Sequence, residues 1–90
     1  MSRFSTLKDP GSTLDYQIDW SQWLGSDTIA SSTWTVPAGL TDHASSSTTT
    51  ETVQWLAGGT VGAVYQVVNQ ITTAGGRIAE RTIEIRMIDR

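Results

Sequence analysis

Residues 13–20, TLDYQIDW, alternate strictly between apolar and polar side chains. Only a β-strand, whose successive side chains point to opposite faces, turns such a period of two into one buried and one wet side. The apolar face would carry Leu14, Tyr16, Ile18 and Trp20, and the polar face Asp15, Gln17 and Asp19. This segment predicts a half-buried strand.

The rest of the chain follows the same pattern. Strands are predicted at residues 28–36, with Ala30, Trp34 and Val36 in phase, at 52–56, with Val53 and Trp55 on one side, and at 63–73 and 77–88. Residues 40–46 favour a short edge strand, the Ser/Thr run at 45–50 a turn, and Ala74-Gly75-Gly76 a hairpin turn. Ninety residues form one domain. We therefore predict a sandwich over residues 13–90, preceded by an N-terminal arm or edge strand at residues 1–12.

The stretch GGTVGAVYQVV, residues 58–68, has the glycine spacing of a phosphate-binding loop. Such a loop requires a helix after its glycines, because the amides at the helix N-terminus hold the anion. Here the glycines lead instead into β-branched and aromatic residues with a period of two. The stretch therefore predicts a tight corner between two strands, with Gly62 in the turn.

Tyr65 and Val67 stand two residues apart after this corner, as a tyrosine corner and the following core residue do in immunoglobulin-like sandwiches. The chain has no cysteine, so Val67 occupies the place of a disulfide-forming residue. Burial of Trp20, Trp34 and Trp55 is expected to offset that loss. The predicted fold is a small all-β, antiparallel immunoglobulin-like β-sandwich of about seven strands.

Composition excludes several classes of function. The net charge is −3, with six scattered basic residues, which argues against binding to nucleic acid. The chain shows no signal peptide, no transit peptide and no apolar run long enough to span a membrane. We expect it to remain in the cytoplasm unless it leaves as part of a larger assembly.

The residues that could carry chemistry stand apart from one another. His43 lies in a polar stretch without a partner that would position it as a base. Asp15 and Asp19 share a strand face but lie about 13 to 14 Å apart, too far to hold one metal ion alone. The last strand alternates acidic with basic residues, a pattern typical of cross-strand pairing (Arg77, Glu80, Arg81, Glu84 and Arg86). We predict no enzyme, no catalytic residue, no metal, no cofactor and no small-molecule substrate.

Four aliphatic residues of the last two strands would face outward if Tyr65 faces the core. Val64, Val68, Ile78 and Ile88 would point away from the core and form one apolar patch that contacts another chain. Scattered aliphatics, or a bulge that changes the register, would remove the patch. Asn69 is phased inward, where its amide must be hydrogen-bonded.

Several pieces of the sequence, in order, resemble a family of small proteins of tailed bacteriophages, the fiber-tail adaptor proteins. The similarity runs from Lys8 to Met87 and includes Lys-Asp-Pro at 8–10, Leu-Asp-Tyr at 14–16, Trp-Leu-x-Gly-Gly at 55–59 and Ile-Thr-Thr-Ala-Gly-Gly-Arg at 71–77. The resemblance implies a virion structural protein with an immunoglobulin-like fold, assembled in the host cytoplasm. It carries over no catalytic residue.

Three functions follow from this resemblance and from the residues. The first is a non-enzymatic adaptor, present in several copies, that joins tail and tail fiber proteins through sheet faces and the N-terminal arm. The second is a capsid decoration or stabilising protein. The third is a carbohydrate-binding module in which exposed, coplanar tryptophans stack on sugars. The expected partners are other phage virion proteins, and neither nucleic acid nor a membrane.

Overall fold

The computed structural model describes residues 2–88, and the side chains of residues 8–88. These residues form seven β-strands and one short helix: β1 (Ser2–Lys8), β2 (Leu14–Asp19), α1 (Ser21–Leu24), β3 (Ile29–Thr35), β4 (Leu40–Ser47), β5 (Glu51–Gly58), β6 (Val64–Thr73) and β7 (Ile78–Met87). The prediction of an all-β chain is confirmed. None of the described residues lies in a helix of the length and apolarity that a membrane crossing demands.

The strands form two sheets. One has four strands in the order β1-β7-β6-β3, and the other has three in the order β2-β5-β4. All neighbours are antiparallel except β1, which pairs in parallel with β7 from Ser2 opposite Arg81 to Lys8 opposite Met87. The strands β2 to β7, which lie within the predicted sandwich, are antiparallel as expected, and β1 of the segment 1–12 adds a parallel strand at the edge. Residues 1, 89 and 90 of the predicted segments 1–12 and 13–90 lie outside the described residues.

The core lies between the sheets and follows the period of two. β2 buries Tyr16 and Ile18, and β6 buries Val67 and Ile71, with no more than 8% of any of these side chains exposed. Across the hairpin, Ile83 and Ile85 of β7 are fully buried opposite Val67 and Tyr65. The resulting cluster consists of Tyr16, Ile18, Trp20, Leu24, Ile29, Leu40, Leu56, Val67, Ile71, Ile83, Ile85 and Met87.

Two of the three tryptophans predicted in the core pack there. Trp20 is 1% exposed, and Trp34 is partly buried against the cluster. The prediction for Trp55 is wrong, since this residue lies on the outer face of β5 and is 39% exposed. The inward positions of β5 are taken by Thr52, Gln54 and Leu56, so Val53 and Trp55 face outward. At these inner positions the Thr52 hydroxyl donates to Oδ1 of Asn69, and Nε2 of Gln54 donates to Oδ1 of Asp42.

Asn69 of β6 is fully buried, and its amide is hydrogen-bonded as the sequence requires. Its Oδ1 accepts bonds from the Thr52 hydroxyl at 2.7 Å and from Nε1 of Trp20 at 3.1 Å. Its Nδ2 donates to the Ser32 hydroxyl at 2.9 Å and to the carbonyl of Thr33 at 3.0 Å. The amide therefore links β5 of one sheet to β6 and β3 of the other.

Tyr65 begins β6 after the predicted corner. Gly62 has a φ of 87°, a conformation that L side chains rarely adopt, and a strand rather than a helix follows it. The ring of Tyr65 is half-buried, and its hydroxyl accepts a 3.2 Å bond from the backbone nitrogen of Thr60 upstream. The glycines of this stretch thus belong to a turn between β5 and β6.

Lys8, at the end of β1, is buried and holds one end of the sandwich together. Its Nζ donates to the carbonyl oxygens of Asp9 at 3.0 Å, Ser12 at 2.7 Å and Gly58 at 2.7 Å. Burial lowers the pKa of Lys8, while the neighbouring Asp9 charge acts in the opposite direction. Asp9 and Ser12 belong to the segment between β1 and β2, and Gly58 ends β5. The lysine therefore connects the β1–β2 segment to the three-stranded sheet.

Local irregularities explain two further differences from the sequence pattern. A bulge between Ile29 and Ser31 places Ile29 in the core and leaves Ala30 exposed. The predicted connection after β2 contains α1, whose Leu24 is buried. The Ser/Thr run continues β4 to Ser47, and residues 48–50 form the turn to β5.

Candidate interaction surfaces

Two tryptophans at the end of β2 are each covered by an arginine of β7 or of the turn before it. Trp20 and Trp23 meet edge to face, with ring centroids 5.7 Å apart and planes at 71°. The guanidinium carbon of Arg81 lies 4.3 Å from the centroid of Trp20, and that of Arg77 lies 4.2 Å from the centroid of Trp23. Both pairs are within the range of cation–π attraction.

An aspartate holds each of these arginines in place. Nε of Arg77 lies 3.1 Å from Oδ2 of Asp27, and its Nη2 donates to the carbonyl of Leu24 at 3.0 Å. Nη1 of Arg81 donates to the carbonyl of Asp19 at 3.0 Å, and the positive charge of Arg81 acts on the Asp19 carboxylate. Arg77 therefore lies between an indole ring and a carboxylate, and Arg81 between an indole ring and a backbone carbonyl.

The two aspartates are stabilised in their charged form. A hydrogen bond from the side chain of Thr73, followed by bonds from the backbone of Thr28 and Gly75 and from Arg77, lowers the pKa of Asp27 to about 2. For Asp19, hydrogen bonds from Ser21 are the main cause of a lowered pKa. These carboxylates serve the packing of α1 and of the turn at residues 74–77.

A groove of about 580 Å³ opens beside this cluster, lined by Trp20, Trp23, Gln70, Ile78, Ala79, Glu80 and Arg81. The indole of Trp20 is nearly inaccessible, and guanidinium groups cover one face of Trp20 and of Trp23. A sugar that stacks on coplanar exposed tryptophans finds no such platform in these two perpendicular rings. The groove therefore does not favour the carbohydrate-binding alternative.

The outer face of the three-stranded sheet presents a different surface. Trp55 lies in its central strand, directly opposite Asp15 of β2 and Ala44 of β4. Val53 precedes it on the same face, and Glu51 stands at the start of the strand opposite Asp19. The described strands β2, β4 and β5 contain no lysine or arginine. We call this the Trp55 face, formed by Asp15, Gln17, Asp19, Ala44, Ser46, Glu51, Val53 and Trp55.

The four aliphatic residues predicted as one patch are not brought together. Val64 is 49% exposed at one end of β6 opposite Arg86, whereas Ile78 is 65% exposed at the start of β7 opposite Thr72. Eight residues of β6 separate these two ends, about 27 Å along a strand. Val68 is half-buried between them, and Ile88 is half-buried just after β7. That each of the four contacts another chain stays a prediction.

The remaining residues considered for chemistry are dispersed. His43 is exposed at a bulge of β4, and Asp15 and Asp19 are exposed on β2. Among residues 2–88 there is no group of three or more His, Cys, Asp or Glu side chains that could hold a metal ion. The sequence did not reveal the arginine-covered tryptophans, because each contact joins residues more than fifty positions apart.

The fold and these surfaces define a small all-β module of two facing sheets, with an exposed aromatic residue on one sheet face. Residues 8–86 match the protein family described as podophage GP4 fiber-tail adaptor protein gp77. The chain belongs to this bacteriophage family, and the resemblance seen in the sequence is confirmed. A comparison with curated proteins found none that matches.

Proposed function

We propose that this protein joins the tail of a podophage virion to a tail fiber. The observation that carries the proposal is the family match, which covers residues 8–86 and therefore nearly the whole chain. Membership in a fiber-tail adaptor family supports a structural adaptor role, with other virion proteins as partners. Several copies of the chain would act at the joint, each bound to tail and fiber through its sheet faces and the segment at residues 1–12.

The protein acts by binding and not by catalysis. The charged side chains of Asp27, Arg77 and Arg81 form hydrogen bonds and an ion pair that hold α1 and the turn at residues 74–77 against the sandwich. The positive charge of Lys8 is used in the same way, at the other end of the molecule. A rigid module suits a joint, since a partner that binds a preorganised surface loses little freedom on assembly.

The two sheets form an immunoglobulin-like sandwich with a tyrosine corner at Tyr65. The order β7-β6-β3 facing β2-β5-β4 corresponds to strands G-F-C and B-E-D of that fold, with β1 beside the last strand. The bond between Tyr65 and the backbone of Thr60 supports the corner. Val64, Val68, Ile78 and Ile88 then lie on or beside the strands β6 and β7, where the two ends of this sheet provide separate contacts.

Deletion of the gene from the phage, with and without a plasmid copy, tests the adaptor role. We expect particles without the protein to retain filled heads and tails but to lack fibers, and the plasmid copy to restore them. Mass spectrometry of purified wild-type particles should give a copy number comparable with that of the fiber. A copy number close to that of the major head protein, or fibers on particles that lack the protein, would contradict the proposal and favour capsid decoration.

A further inference from the structure

Arginines lie over the rings of Trp20 and Trp23, whereas the exposed Trp55 has no such contact among the described residues. Arg81 lies over Trp20 and donates to the backbone carbonyl of Asp19. Trp23 has Arg77 over its ring and Asp27 paired to that arginine at 3.1 Å. Trp55 stands directly opposite Asp15 in the register of β5 and β2. The pair of Trp55 and Asp15 therefore resembles the Trp23 site, which combines an indole with a carboxylate, but without the arginine between them.

The position of Trp55 and Asp15 suits a guanidinium group. Residues directly opposite each other on antiparallel strands have Cβ atoms about 4.5 to 5.5 Å apart and project to the same side of the sheet. A planar guanidinium can therefore lie on the indole and reach the carboxylate at once, which an ammonium group does less well. Both side chains are exposed, so a group from outside can approach them.

The described arginines of this chain do not occupy this position. Arg77 and Arg81 are held at Trp23 and Trp20, and Arg86 is exposed on β7 of the other sheet. The strands that form the Trp55 face carry carboxylates and no lysine or arginine. Glu51 stands opposite Asp19 on this face, which carries the carboxylates of Asp15, Asp19 and Glu51. A cationic partner is complementary to such a face.

We propose that the Trp55 face binds another virion protein through an arginine of that protein, which stacks on Trp55 and pairs with Asp15. Val53 and Ala44 beside the indole provide a small apolar surround, which excludes water from the ion pair. The proposal rests on the adaptor role, and it specifies the chemistry of one of the two partners. It concerns a different sheet from the one that carries Val64 and Ile78.

Incorporation of variants into particles tests this docking mode. Phage that lacks the gene is grown with plasmids for Trp55→Leu, Asp15→Asn or the matched control Gln22→Ala, which is exposed on α1 and is not part of the Trp55 face. We expect the first two variants to be incorporated about tenfold less than wild type, in line with the loss of one cation–π contact or one paired charge. The control should be incorporated normally.

Three further measurements distinguish a loss of docking from a loss of folding. Thermal unfolding of each purified variant must match wild type, so that poor incorporation reflects docking and not folding. A density map of the wild-type particle should show an arginine on Trp55, and exchange of Asp15→Arg here with Arg→Asp in the partner should restore incorporation. Normal incorporation of both Trp55→Leu and Asp15→Asn, or a solvated Trp55 in the map, would overturn the inference.

The two proposals can fail independently. If the map places the chain away from the joint of tail and fiber, but with an arginine on Trp55, the adaptor role is wrong and the docking mode stands. If the chain lies at the joint with Trp55 in solvent, the adaptor role stands and the docking mode is wrong.

Discussion

The hydroxyl of Thr52 donates a 2.7 Å hydrogen bond to Oδ1 of Asn69, across the interface of the two sheets. Both residues are fully buried, and Nε1 of Trp20 donates to both of them. A sandwich held by apolar contacts alone can slide, whereas a buried amide with four partners accepts one relative position of the sheets. This network therefore fixes the register in which the outer faces are presented to partners.

Replacement of Asn69 by Ala is expected to lower the free energy of unfolding by about 3 kcal/mol, because four groups lose a partner and two of them, on Trp20 and Thr52, are buried. The double variant Asn69→Leu with Thr52→Val should be less destabilised than the sum of the two single changes, since the paired groups are removed together. Urea denaturation of wild type, Asn69→Ala, the two single variants of the cycle and the double variant measures both effects. Strict additivity would show that the two side chains are not coupled.

Lys8→Met keeps most of the buried aliphatic stem and removes the ammonium group. Three carbonyl oxygens, of Asp9, Ser12 and Gly58, lose their donor, and we expect a loss of about 2 to 3 kcal/mol. Hydrogen exchange should show faster opening of the segment at residues 9–13 in the variant than in wild type. Unchanged exchange in this segment would mean that water replaces the ammonium group without loss.

Asp27 makes the protein sensitive to acid. Its pKa falls from 3.8 to about 2 on folding, so the unfolded chain takes up a proton at a higher pH than the folded chain. The stabilisation is complete above pH 3.8 and is lost as the pH falls toward 2. We expect Asp27→Asn to be less stable than wild type near neutral pH and to lose less stability between these pH values.

Thr73→Val is the matched variant for this effect, because the Thr73 side chain is the largest cause of the low pKa of Asp27. It should move the acid transition to higher pH while the carboxylate remains. The measurement is the free energy of unfolding by urea at a series of pH values. Parallel curves for wild type and Asp27→Asn over this range would contradict the assignment.

Much of the fold follows from the period of two, and the exceptions have physical reasons. In β6 every second residue from Tyr65 to Thr73 faces the core, so the burial of Asn69 could be predicted. The buried face of β5 could not be predicted in this way, because it holds the polar residues Thr52 and Gln54, which bond to Asn69 of the other sheet and to Asp42 of the neighbouring strand β4. Apolar character alone assigned Trp55 to the core. Neighbours in space, and not the residue itself, decide which face of such a strand is buried.

The surfaces were less predictable than the strands. The contact of Arg77 with Trp23 joins a turn to a helix of four residues, and no local pattern connects them. The pairing of Trp55 with Asp15 requires the register of β2 against β5, which the sequence does not state. The parallel pairing of β1 depends likewise on its long-range alignment with β7. The alternation of side chains within one strand does not state how that strand is aligned with a distant one.

Gly39 and Gly62 each require a glycine, but for different physical reasons. Both have positive φ, of 101° and 87°, but a Cβ at Gly39 would lie 2.8 Å from the hydroxyl oxygen of Tyr65, whereas one at Gly62 has open space. We expect Gly62→Ala to lose about 1 kcal/mol from backbone strain, and Gly39→Ala about 3 kcal/mol because the Tyr65 ring must also move. Chemical denaturation measures the difference, and equal losses would show that the ring yields freely.

Trp20 and Trp55 should respond to truncation in opposite ways. Trp20 is 1% exposed, packs against Trp23 and donates to Thr52 and Asn69, so Trp20→Ala is expected to lose about 4 kcal/mol or to prevent folding. Trp55 is 39% exposed on a sheet face, and Trp55→Ala should lose about 1 kcal/mol or less in the isolated protein.

Urea denaturation of the purified variants makes this comparison, with Trp55→Phe as a control that keeps an aromatic ring on the same strand. A loss for Trp55→Ala as large as that for Trp20→Ala would mean that the Trp55 indole is held by the sandwich itself. Since an indole that stabilises its own chain is not free for a partner, that outcome would also remove the reason to expect an arginine on the Trp55 face.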